Sequence, residues 1–182
     1  MLSSNIFISL LAPIAVSAIA VPAQSGKVNL TELTGSKVLE NGIYHLTFDE
    51  VSGSPFYHFT PTPNTTNTPG RDLTLPHELV GRDAGCDNIH LDSRQTDIAN
   101  DGLQRTCGGG YFGTTWVVEG DAVAFYCQYD RSAVCTYQSS REANKWITQK
   151  CGLYWAGSYT GRGYAYGYTN WRLHDFCNMV IS

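Results

Sequence analysis

Six cysteines stand at positions 86, 107, 127, 135, 151 and 177, and the first 85 residues hold none. An even set gathered in one part of a chain marks out a unit stapled by disulfides. Small secreted domains use that framework where a limited apolar core cannot hold the fold alone. No Cys-x-x-Cys pair and no Cys/His cluster at zinc spacing occurs, so neither a metal centre nor a cofactor is expected. The N-terminal sequence agrees with an oxidising destination. Ile6 to Ala20 is an apolar run that ends in Ala18-Ile19-Ala20 before Val21-Pro22. This is the length and the small-x-small ending of a signal peptide, without the polar face of a packed helix. No later stretch approaches the roughly 20 apolar residues of a membrane span. Residues 1–20 are therefore read as a signal peptide, and the mature chain as secreted and extracellular.

Residues 21–82 differ in character from the cysteine-bearing part of the chain. Gly42 to Phe48 and Pro55 to Phe59 have the composition of short strands, and a Thr/Pro/Asn tract from Thr60 to Gly70 has nothing to bury. The segment reads as a propeptide or flexible linker, with a candidate processing point near Arg82; the alternative is that the two short strands join the domain as an accessory hairpin. Asn29-Leu30-Thr31 and Asn64-Thr65-Thr66 make Asn29 and Asn64 glycosylation acceptors on a secretory route.

Residues 83–182 have a regular rhythm. Asp92 or Ser93 caps a helix running to Cys107, with Ala99, Leu103 and Cys107 on one face. Thr114 to Glu119 and Ala122 to Tyr129 flank Gly120-Asp121 as a type II′ hairpin would. Ser139-x-x-Glu142 reads as a capping box before a second helix carrying Ala143, Trp146, Ile147 and Cys151. Leu153 to Tyr159 and Gly163 to Thr169 form another hairpin around Thr160-Gly161-Arg162. The expected fold is α+β: an antiparallel sheet of four or more strands with two helices packed on one face. Many cysteine pairings remain open; the expectation is Cys127 with Cys135 across a short loop, Cys107 with Cys151 at the helix ends, and Cys86 with Cys177.

Tyr164, Tyr166 and Tyr168 alternate with small residues, and Trp171 is read as continuing the aromatic row. An exposed row would stack on sugars or a partner surface, and a buried one would pack under the second helix. His90 and the His174-Asp175 pair are candidates for a general base and its orienter. Beside them stand only Glu119, at a hairpin turn, and Glu142, in a helix start, and no nucleophile elbow or phosphate loop occurs. From Asp83 onward there are eight Lys/Arg and ten Asp/Glu, and this balance argues against nucleic acid or an anionic membrane as partner.

Several segments together carry a resemblance: Arg82-Asp83-Ala84-Gly85-Cys86, Leu103-Gln104-Arg105-Thr106-Cys107, Val123 to Tyr129, Trp146 to Gly152, and Gly163 to Tyr168. Over residues 83–182 the chain resembles fungal small secreted cysteine-rich effector-like proteins. More distantly it is similar to killer-toxin-like α/β sandwiches, in which two helices cover an antiparallel sheet. The resemblance implies a protein that binds an extracellular protein or glycan of a host or competitor without catalysis, and it carries over no functional residue. The alternatives are a glycan or cell-wall module using the tyrosine row, and a small hydrolase or ribonuclease. For target binding, the loops Asp130 to Val134 and Tyr159 to Arg162 are the expected contact regions.

Overall fold

The computed structural model describes residues 27–28, 38–49, 52, 54–62, 81–173, 176–177 and 179–180. In chain order its elements are β1 (Lys27–Val28), β2 (Gly42–Phe48), β3 (Pro55–Pro61), β4 (Gly81–His90), α1 (Ser93–Cys107), β5 (Thr115–Glu119), β6 (Ala122–Gln128), α2 (Tyr137–Cys151), β7 (Trp155–Gly161), β8 (Tyr164–Asn170) and β9 (Met179–Val180). Seven strands form one antiparallel sheet in the order β3-β2-β5-β6-β8-β7-β4, and β1 pairs with β9.

The two strands of residues 42–61 are thus part of the sheet. Gly42 to His45 of β2 pair with Val118 to Thr115 of β5, and the Thr115 hydroxyl donates to the Tyr44 carbonyl at 2.9 Å, a contact across 71 positions. This replaces the reading of residues 21–82 as a linker throughout, and the accessory-hairpin alternative describes what residues 42–61 do. Arg82 lies inside β4, which pairs with β7 at the opposite edge.

Asp92 caps α1 by accepting from the Gln95 N–H at 2.9 Å. Gly102, unfavourable in a helix by about 1 kcal/mol, sits where a Cβ would lie 2.9 Å from Val117 Cγ1, so its absence lets α1 approach β5. The capping box of α2 lies three residues earlier than expected: Thr136 is the N-cap and Ser139 the N3 partner, each accepting from the other's backbone N–H. At Gly120, φ is 57° while Asp121 has no positive φ, as a type II′ turn requires.

Alternate residues of β5 and β6 feed two cores. Val117, Ala124 and Tyr126 join Ala99, Leu103, Ala143, Ile147, Tyr159, Tyr166 and Tyr168, so this cluster holds the buried apolar residues of both helices. Trp116, Val118, Val123, Phe125 and Cys127 join Tyr44, Leu46, Ala165, Phe176 and Cys177. In this second cluster Tyr44 stacks on Trp116 (5.5 Å, 3°) and Phe125 on Phe176 (5.1 Å, 20°).

The disulfides are Cys86–Cys151, Cys107–Cys135 and Cys127–Cys177. None of the three expected pairings occurs, and the reason is strand parity and sheet order. Cys127 shares its cluster with Cys177, whereas Cys135 lies with Cys107 in the other cluster. Cys151 ends α2 above Gly157 of β7, where a Cβ would come within 3.1 Å of its Sγ, and it bonds Cys86 of the adjacent strand β4.

Candidate functional site

The expected loops meet at one end of the sheet. The backbone N–H groups of Tyr129 and Asp130 both donate to the Gly163 carbonyl, at 2.8 and 2.9 Å, which ties the β6–α2 connection to the β7–β8 turn. Asp130 Oδ1 accepts from the Ser132 N–H (2.8 Å) and hydroxyl (2.9 Å), and these bonds hold its carboxyl below the ordinary range. Tyr111 and Cys135 form a β-bridge beside the Cys107–Cys135 bond, anchoring the loop that carries Phe112 to the same end. Tyr159 itself is buried within β7, so the exposed residues of the second loop are Thr160 and, at the turn, Arg162. Phe112, Tyr129, Asp130, Arg131, Ser132 and Arg162 are all exposed. Apolar and charged groups are therefore displayed on a backbone fixed by a disulfide and main-chain hydrogen bonds.

A second feature is a groove of about 360 Å³ between the helices. α1 contributes Asp97, Asn100 and Gln104; α2 contributes Asn144, Lys145 and Gln149. Tyr168 also lines it, its hydroxyl 3.3 Å from Thr148 Oγ1. Tyr154 closes one side with φ at 60°, a left-handed conformation that costs a non-glycine residue on the order of 1 kcal/mol. Its carbonyl accepts from the Leu91 N–H at 2.9 Å, and its phenol donates to Asp97 Oδ2 at 3.1 Å. That carboxylate raises the phenol's pKa. Asn100 Oδ1 is buried in this region without a hydrogen-bond partner.

The tyrosine row is not a surface platform. Tyr166 and Tyr168 are 1% and 2% exposed, and Tyr164 is partly buried against the same cluster. The Tyr166 hydroxyl meets Ser139 Oγ at 2.7 Å. Trp171 does not continue the row: it packs against the Trp116 cluster and donates from Nε1 to the Gly120 carbonyl at 2.9 Å, with Arg172 over its ring. His90 is exposed at the end of β4, its ring edge-on to Trp155 at 5.5 Å. Glu142 accepts from Gln138 Nε2 at 2.6 Å on the surface of α2. His174, Asp175, Asn29 and Asn64 lie outside the described residues.

Sequence reasoning missed the groove because its lining comes from the polar faces of two helices, which single-helix periodicity assigns to solvent. Among the described residues no helix is long and apolar enough to cross a membrane. No protein-family model, curated protein or solved structure matches the chain.

Proposed function

We propose that this is a secreted effector or toxin-like protein that binds an extracellular target of a host or competitor through the loop end of its sheet. The observation that carries the reading is the joining of two separate loops at Gly163, with Phe112 held beside them by the Cys107–Cys135 staple. A surface ordered before contact loses less conformational entropy on binding. Exposed aromatic and arginine side chains are the types that anchor protein interfaces. The composition of each core cluster supports the companion inference that both helices cover one face of the sheet, leaving the loop end free of helices.

The test applies purified oxidised protein, and a reduced and alkylated control, to plant and fungal cells. Death, growth arrest or a defence response from the oxidised form alone is expected. The double variant Arg131→Glu, Arg162→Glu should lose that response while keeping its thermal transition. Equal activity of the reduced form, or full activity of the double variant, sinks the reading.

The groove between the helices favours a second reading, a glycan-binding module. Planar amides and a carboxylate beside a tyrosine pair well with the vicinal hydroxyls of sugars. Tryptophan fluorescence and pull-down with chitin and glucan fragments test it. Binding that Asn100→Ala abolishes supports this reading, and no binding to any fragment removes it.

A further inference from the structure

We propose that the β2–β3 hairpin carries a binding site for a divalent transition cation, with His45 and His58 as its two protein ligands and solvent or a bound partner filling the remaining positions. The antiparallel register sets His45 directly opposite His58. Residues so paired project from the same side of a sheet with Cβ atoms about 5 Å apart. Metal–imidazole bonds of about 2 Å then let both rings reach one ion without backbone movement.

The side of the hairpin that carries these rings is covered in part, by Ile43 and Tyr111 against the helix-bearing cluster, and is open at His58. Tyr44, Leu46, Tyr57 and Phe59 point the other way, into or against the Trp116 cluster, while His58 is exposed and His45 half-buried. Tyr111 packs on the His45 ring at 4.8 Å, and Phe56 meets His58 edge-on at 5.1 Å. Tyr111 is itself held by the β-bridge to Cys135, so one of the two imidazoles is positioned by a stapled part of the fold. His45 Nδ1 is buried without a hydrogen-bond partner. A polar atom left so costs stability that Val or Thr, better strand residues, would not incur.

Among the described residues no third His, Cys, Asp or Glu completes a cluster. The site is accordingly an open two-imidazole chelate, for which the Irving–Williams order favours Cu²⁺ over Zn²⁺ and Ni²⁺.

The experiment titrates the oxidised protein with Cu²⁺, followed by calorimetry and by electron paramagnetic resonance. Two imidazole nitrogens on the bound ion are expected. His58→Gln, at an exposed position, should lower the affinity by about tenfold or more and leave a single imidazole nitrogen. Its unchanged melting temperature without metal would show an intact fold. Cu²⁺ binding that survives His58→Gln undiminished overturns the proposal, as does loss that follows His77→Gln, His90→Gln or His174→Gln, at the chain's other three histidines, instead.

Discussion

The core around Tyr126, Tyr166 and Ile147 lies against two helices of 15 residues each and contains a disulfide, Cys107–Cys135. The core around Trp116 and Phe125 is closed instead by pieces far apart in the chain: Tyr44 and Leu46 from the hairpin, and Phe176 with the Cys127–Cys177 bond from near the C-terminus. The first core consists largely of tyrosines and small residues, and two of the tyrosines, Tyr166 and Tyr168, reach helix hydroxyls; the second stacks rings. One core cluster is thus completed by regular elements and the other by segments distant in the chain. The two solutions should fail differently.

The largest expected effect is at the ring-stacked core. Trp116→Ala removes a fully buried side chain that Tyr44 and Phe176 pack against and should cost about 3–5 kcal/mol, measured by denaturant unfolding. A loss below about 1 kcal/mol would mean that this core is not cooperative with the rest. Replacing Cys127 and Cys177 together by Ser should cost about 3 kcal/mol, because it frees the segment that closes the same core. The matching pair Cys107 and Cys135 should show the smaller loss of apolar packing, since α1 remains docked through Ala99 and Leu103.

Alkaline pH should act more on the other core. Tyrosine ionises near pH 10 when unfolded, and burial pushes Tyr126, Tyr159, Tyr166 and Tyr168 up in the folded state. On the ring-stacked side burial pushes Tyr44 up to about 12. Below pH 10 both states are neutral and these groups leave stability unchanged. For Tyr44 the unfolded state alone loses the proton between pH 10 and about 12, so stability falls there by about 1.4 kcal/mol per pH unit, and the other buried tyrosines act in the same direction. Phenolate absorbance should therefore appear together with the loss of near-ultraviolet circular dichroism; core tyrosines that titrate before unfolding would contradict their burial.

The smallest effects distinguish the polar tips themselves. Tyr166→Phe removes the contact with Ser139, whose hydroxyl keeps its bonds to Thr136, and should cost about 1 kcal/mol. Tyr126→Phe removes a buried hydroxyl that has no partner and should be neutral or slightly stabilising in the same unfolding experiment. Equal costs for the two would mean that hydrogen bonding does not set the role of the tyrosine row.

The helices and the β5–β6 and β7–β8 hairpins could be read from period, caps and turn residues such as Asp92 and Gly120, because those signals are local. Strand β4 could not: Gly85, Asp87 and Asn88 lack strand propensity, and its pairing with β7 comes from tertiary contact. Alternation showed that Tyr164, Tyr166 and Tyr168 share a side, but which side a helix covers depends on connections outside the strand. The same gap defeated the cysteine pairing, since Cys127 and Cys135 are close in sequence and belong to different cores. For the candidate sites, the loops at Asp130 and Arg162 were legible as loops, but their joining at Gly163 was not. His45 and His58 lie in a segment that read as a linker, and only the register of the hairpin makes them neighbours.

The hydrogen bond from Thr115 to Tyr44 has a kinetic consequence. Strand β2 leaves the ribosome well before β5, the strand it pairs with, and contacts between residues so distant in sequence are slow to form. Until β5 and β6 are in place, the aromatic side of the hairpin has nothing to cover it. Until then Tyr44, Tyr57 and Phe59 are the part of the folding chain that stays open to a chaperone, and docking of the hairpin is a late event in folding.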